Sequence, residues 1–222
     1  MKTGLISDLS LSYILSVPSD APERAALPLV VVMHGKGADA SDLSGLAAVL
    51  DGPLGYRFIF PNGPHAWDTG AGVTIGYKWF DNWPPEGNSL RESRCRVLPF
   101  ISELVRRYPT PKGKIVISGF SQGALMALDT GYRTTEEIAG IVAMSGGLDE
   151  KDLPDFTPRR DLPVLLVHGT NDTVVSVTQS RNARLILESH GINPDYYEFW
   201  TGHYLTPESI AVVANFMRKY LG

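Results

Sequence analysis

A single cysteine, Cys95, stands in a chain of 222 residues, so no intrachain disulfide can form. Its neighbours Arg94 and Arg96 do not by themselves activate a thiol, and the expected state is a packed, half-buried thiol on a helix. No run of about 18 apolar residues exists, so no membrane span is predicted. Neither sign of charge dominates: 20 Lys and Arg mix with 24 Asp and Glu for a net charge of -4, and no basic block is there to hold nucleic acid. His-Glu-x-x-His, clustered Cys/His sets and a P-loop are missing, which removes the usual signatures of metal-dependent hydrolysis and of nucleotide chemistry. A targeting segment is not expected either. Lys2 supplies one positive charge, but Asp8 and several serines interrupt the apolar stretch that follows, and the expected location is the cytoplasm.

What is present reads as one globular domain over residues 1–222, with 43% hydrophobic and 20% charged residues and neither repeat nor linker. Short apolar runs alternate with helical patterns, the signature of an α/β protein. Leu29–Met33, Arg57–Phe60, Lys114–Ser118, Ile138–Met144, Val164–His168 and Tyr196–Trp200 are predicted strands. Their β-branched content suits a mostly parallel sheet covered on both faces by helices. Leu9, Leu11, Tyr13 and Leu15 alternate with more polar positions and suggest a further, half-buried strand. Ser89 and Glu92 form a candidate capping box opening a helix to about Arg107, which Pro109 and Pro111 stop. Val177–His190 reads as a helix closed by Gly191, and Thr206-Pro207 as the start of the last one. Between Pro61 and Asn88 lies a long loop rich in glycine and proline, with three of the four tryptophans, Trp67, Trp79 and Trp83. Loops of that length inside a compact domain usually have a functional reason.

The strongest chemical signal is Gly119-Phe120-Ser121-Gln122-Gly123, between a predicted strand and an apolar helix. That context defines a nucleophile elbow: the tight turn exposes the serine hydroxyl, and small flanking residues let strand and helix pass closely. A serine hydroxyl needs a base. Of five histidines, His190 suits a helix end, His65 lies in the long loop, and His34 and His168 end strands, where they shape the turns that follow. His203, on the loop between the last strand and the last helix, is the candidate base. Asp172, just beyond the Val164–His168 strand, is the candidate to orient it. Both fall at the C-terminal edge of the sheet, where open α/β folds place ligands, and the order Ser121, Asp172, His203 is that of the α/β hydrolases. The oxyanion hole is expected from two backbone N–H groups, those of Gln122 and of Lys36 in the loop His34-Gly35-Lys36-Gly37.

Taken with Trp79-Phe80-Asp81, Ser145-Gly146-Gly147, His168-Gly169 and Gly202-His203, these motifs run in the order found in the phospholipase/carboxylesterase family. From about residue 29 onward the chain resembles these small α/β hydrolases, which include bacterial carboxylesterases and acyl-protein thioesterases. The resemblance implies ester or thioester hydrolysis without a cofactor and an acyl site near Trp79 and Phe80, and the short interval from Ser145 to Pro163, with Pro154 and Pro158, predicts no large cap domain. Trp67 and Trp83 are further candidates for substrate contact, because bulky rings in that loop can wall a small apolar cleft. Two positions depart from the family pattern: lysine at 36, where an apolar residue is common, and Ser176 after Val175, where a proline is usual. The expected activity is a serine carboxylesterase for small-molecule esters of short to medium acyl length. The rivals are a long-chain thioesterase or lysophospholipase and a non-catalytic binding protein of the same fold. Monomer and homodimer both stay open.

Overall fold

The computed structural model describes residues 4–22, 24–52, 55–68, 70 and 72–222, so Lys2 lies outside the described residues. In chain order the strands are β1 (Leu5–Ile6), β2 (Tyr13–Ser16), β3 (Leu29–Met33), β4 (Arg57–Pro61), β5 (His65–Asp68), β6 (Thr74–Lys78), β7 (Ile115–Phe120), β8 (Gly140–Met144), β9 (Val164–Gly169) and β10 (Asp195–Phe199). The helices are α1 (Ala47–Leu50), α2 (Ser89–Arg107), α3 (Gln122–Arg133), α4 (Thr178–Ser189) and α5 (Pro207–Leu221). Eight strands form one sheet in the order β1-β2-β4-β3-β7-β8-β9-β10. From β4 to β10 the neighbours pair in parallel, while β1 and β2 join antiparallel at one edge.

Alternation along the strands divides the core in two. Leu29, Val31 and Met33 point to the face covered by α2, α3 and α4, and Val30 and Val32 to the face covered by α1 and α5. Strands buried on both faces explain the unbroken apolar runs in the sequence. The predicted helix ends hold at α4, which Gly191 follows at φ +79°, and at α5, where Thr206 and Ser209 form a reciprocal capping box with Pro207 at the first turn.

Four expectations need correction. Ser89 does not cap α2: Asn88 is the N-cap residue, no side chain caps it, and the Ser89 hydroxyl instead accepts from the Asp81 N–H. Cys95 is exposed rather than half-buried. The buried stripe of α2 is Leu90, Ser93, Val97, Phe100, Ile101 and Leu104, and at 3.6 residues per turn Cys95 falls outside it. In the N-terminal alternating segment only Tyr13–Ser16 is strand, and residues 8–11 turn the chain back from β1. Finally, the long loop holds an antiparallel ribbon, β5 with β6, which folds over the loop after β3. There Gly37 and Ala38 bond to Tyr77 like an added strand pair (Gly37 N–H to Tyr77 O and Tyr77 N–H to Ala38 O, both 2.8 Å).

Candidate active site

The parallel strands β3, β7, β9 and β10 all end at one edge of the sheet, and the turns that leave them meet there. At the tip of β7, Ser121 sits at φ 56°, ψ -119°, a conformation uncommon for a residue with a side chain. Its neighbours show why glycine is required. A Cβ on Gly119 would lie 2.0 Å from Gly123 O, and one on Gly123 would lie 2.1 Å from Met33 O. The turn therefore forms only where strand and helix backbones touch without side chains between them. Ser121 is the N-cap residue of α3, so the Gln122 N–H is one of the free donors that open a helix.

His203 comes from the loop after β10. Its Nε2 lies 3.0 Å from Ser121 Oγ, and its Nδ1 lies 2.6 Å from Asp172 Oδ2. The Phe120 ring packs on the imidazole at 4.7 Å between centroids. Asp172 is buried, and its other oxygen, Oδ1, accepts from the N–H groups of Val174 and Val175, both at 2.9 Å. Buried His168 brings Nε2 to within 3.3 Å of Asp172 Oδ2 and bonds Val175 O and Ser180 Oγ. Burial lowers the His168 pKa below its usual value, outweighing the nearby Val175 carbonyl and Asp172 carboxylate. Chemically, this is a hydroxyl whose proton has a ring nitrogen to move to, and a ring whose far side is held by a carboxylate.

Residues 18–221 match the family described as Phospholipase/Carboxylesterase. The chain belongs to the phospholipase/carboxylesterase family. Members of this family are serine hydrolases, and so is this chain. It is 30% identical over 203 residues to acyl-protein thioesterase 1 homolog 1 of Dictyostelium discoideum, covering 86% of this chain and 90% of that one. To acyl-protein thioesterase 1 of Debaryomyces hansenii it is 26% identical over 219 residues, 90% and 94% of the two chains. Among solved structures, esterase PE8 superposes with a TM-score of 0.78 at 30% identity, covering 93% of this chain and 99% of that one. A Mesorhizobium loti carboxylesterase superposes at 0.80, with 97% and 98% coverage, and at 18% identity it attests the α/β-hydrolase fold alone.

The resemblance implied an acyl site near Trp79 and Phe80, but neither ring lines an open cleft beside Ser121. Trp79 and Phe80 are fully buried core residues. The Trp79 indole N–H donates to His34 O at 2.8 Å, and its ring packs on His34. Trp67 covers Gly37, where a Cβ would meet the indole at 1.9 Å, and half-buried Trp83 packs on Phe80. Three cavities among the described residues, of about 560, 980 and 420 Å³, lie away from Ser121. No helix among those residues is long and apolar enough to cross a membrane, and no group of three His, Cys, Asp or Glu gathers there to hold a metal ion.

Several contacts went unread in the sequence. The Gln122 side chain accepts from the Trp79 N–H at 3.0 Å and donates to Phe80 O at 2.8 Å, tying the tryptophan segment to the elbow. The Lys36 ammonium donates to Asp81 O at 2.8 Å and lies 5.8 Å from the centre of the Trp67 ring. Nothing in the one-dimensional pattern marks these side chains, because each partner is more than 30 positions away.

Proposed function

We propose that Ser121, His203 and Asp172 form the catalytic triad of a cytoplasmic carboxylesterase, with residues 1–222 acting as one domain. The observation that carries this reading is the continuous contact from Ser121 Oγ through His203 to Asp172 Oδ2, at 3.0 and 2.6 Å. His203 takes the Ser121 proton as Oγ attacks the ester carbonyl carbon. The tetrahedral oxyanion accepts hydrogen bonds from the backbone N–H groups of Lys36 and Gln122. Collapse expels the alcohol, which receives the proton from His203. Water then repeats the sequence on the acyl-enzyme and releases the carboxylic acid.

For the acyl group, short to medium chains fit best. Between β8 and β9 the chain forms only a short helical turn, Thr157–Arg159, so no helical cap lies there to cover a long chain. An added methylene contributes about 0.8 kcal/mol only where a pocket has room for it. The second reading, a long-chain acyl thioesterase or lysophospholipase, draws support from the thioesterase names of the relatives in Dictyostelium and Debaryomyces. A series of p-nitrophenyl esters from acetate to palmitate, with palmitoyl thioester alongside, separates the two. kcat/KM should peak at about two to six carbons and fall beyond about eight. A profile still rising at sixteen carbons, or a preference for the thioester, would establish the second reading in its place.

A further inference from the structure

The Lys36 N–H belongs to the same peptide unit as the Gly35 carbonyl. In a planar trans peptide these two groups point in opposite directions, so whatever holds Gly35 O also aims the Lys36 N–H. Local sterics do little here. Gly35 and Gly37 flank Lys36, and a Cβ on Gly35 would lie close to Ser121 Cβ, at 3.3 Å. The orientation has to come from hydrogen bonds to Gly35 O. Two groups supply them: the Ala38 N–H, at a long 3.3 Å, and His34 Nδ1, at 2.6 Å.

The ring of His34 has no freedom of role. It is buried, and its Nε2 accepts from the Gly63 N–H at 3.0 Å. A backbone amide can only donate, so Nε2 carries a lone pair and the neutral ring bears its proton on Nδ1. Burial lowers the His34 pKa and keeps the ring neutral, against the weaker opposing pull of the Gly35 carbonyl, Asp42 and Asp39. On its other side the ring meets Trp79, whose indole N–H holds the His34 carbonyl. A one-way chain results: Gly63 N–H to Nε2, then Nδ1–H to Gly35 O, with the Lys36 N–H facing away. Among the described residues that N–H has no protein acceptor.

We infer that His34 is a positioning residue that locks the 35–36 peptide with its N–H aimed at the oxyanion. The inference rests on the assignment of Ser121 and Lys36 proposed above. Two near-isosteres split the ring's two functions. In His34→Asn the side-chain amide replaces the Nδ1 donor and leaves Gly63 unpaired. In His34→Gln the side-chain oxygen reaches the place of Nε2 and leaves Gly35 O without its short bond. Both lose the ring contact with Trp79, so general loosening affects them alike.

The readouts are kcat, KM and the affinity of an alkyl boronic acid, whose tetrahedral adduct on the serine places an oxygen where the oxyanion forms. His34→Gln should lose about 10²- to 10³-fold in kcat and a similar factor in boronate affinity, with KM little changed. His34→Asn should stay within about tenfold of the parent on both. Equal losses in the two variants, or a fall in kcat with boronate affinity intact, would overturn the inference. If neither variant folds, ¹⁵N NMR of the parent protein decides: a proton on Nδ1 supports the inference, and one on Nε2 or on both nitrogens overturns it. Labelling of the parent by a fluorophosphonate keeps the two claims apart. If Ser121 does not label, the triad reading fails; if it labels while both variants behave alike, only the role of His34 fails.

Discussion

The two oxygens of Asp172 have different partners, which makes a single substitution there informative. Asp172 uses Oδ1 for two backbone N–H groups and Oδ2 for His203. Asp172→Asn can keep those backbone bonds through its amide oxygen while presenting an N–H to His203, which forces the proton onto Nε2, where Ser121 needs a base. kcat on p-nitrophenyl acetate should fall by about 10³- to 10⁴-fold with the melting temperature little changed. An active Asp172→Asn would move the orienting role to another group. Lys36→Ala removes the ammonium contact with Asp81 O but keeps the backbone N–H. Activity on a neutral ester should stay within about tenfold, whereas a loss near 10³-fold would mean that the ammonium takes part in the chemistry. Residues 119–123, with His203 and Asp172, were legible from the sequence because motif, chain order and strand ends all indicated the same edge of the sheet. The clamp by Gln122 was not, since side-chain partners distant in sequence leave no periodic trace; the contact of His168 with Asp172 was not either, because at four positions apart outside a helix it depends on the turn that follows β9.

At the scale of elements, strands β3, β4, β7, β8 and β9 could be read because burial on both faces writes them as apolar runs, and β10, exposed at the sheet edge, through its aromatic residues. The β5–β6 ribbon was missed. Its strands carry the pattern His65-Ala66-Trp67-Asp68 and Thr74-Ile75-Gly76-Tyr77-Lys78, too short and too polar to stand out beside glycine-rich turns. Gly76 has a specific purpose there: a Cβ would lie 2.1 Å from Gly37 O, so only glycine lets the ribbon lie against the loop after β3. The same oversight put Trp79 in an acyl cleft, whereas the ribbon leads it into the core. Trp79→Ala should destabilise the protein by about 3–5 kcal/mol in urea unfolding, through the cavity left and the His34 carbonyl left without its donor. Its acyl-length profile should keep its shape. A stable variant with broadened tolerance for long chains would return Trp79 to the substrate site.

Across the whole molecule, two imidazoles, His34 and His168, are buried with pKa values pushed below the usual 6.5 by desolvation. The unfolded chain therefore takes up protons first as pH falls, and the folded state loses stability from about pH 6.5 downward, toward the lowered folded values. Above that window the contribution is fully present. The melting temperature should drop on going from about pH 7.5 to about pH 5.5, and a rise over that interval would contradict the buried neutral state of both rings. The sheet edge that gathers Ser121, Asp172 and His203 depends on this core, since His168 and His34 sit where β9 and β3 run out into the catalytic loops.

The central claim, that Ser121 is the nucleophile and His203 its base, is tested most directly by one labelling measurement. The parent protein is treated with a fluorophosphonate, and the rate and site of modification are read by mass spectrometry of the intact chain and its peptides. The account predicts a single adduct, on the peptide carrying Ser121, no adduct in Ser121→Ala, and labelling slowed by about 10³-fold or more in His203→Ala. An adduct on another residue, or His203→Ala labelling at the parent rate, would contradict it.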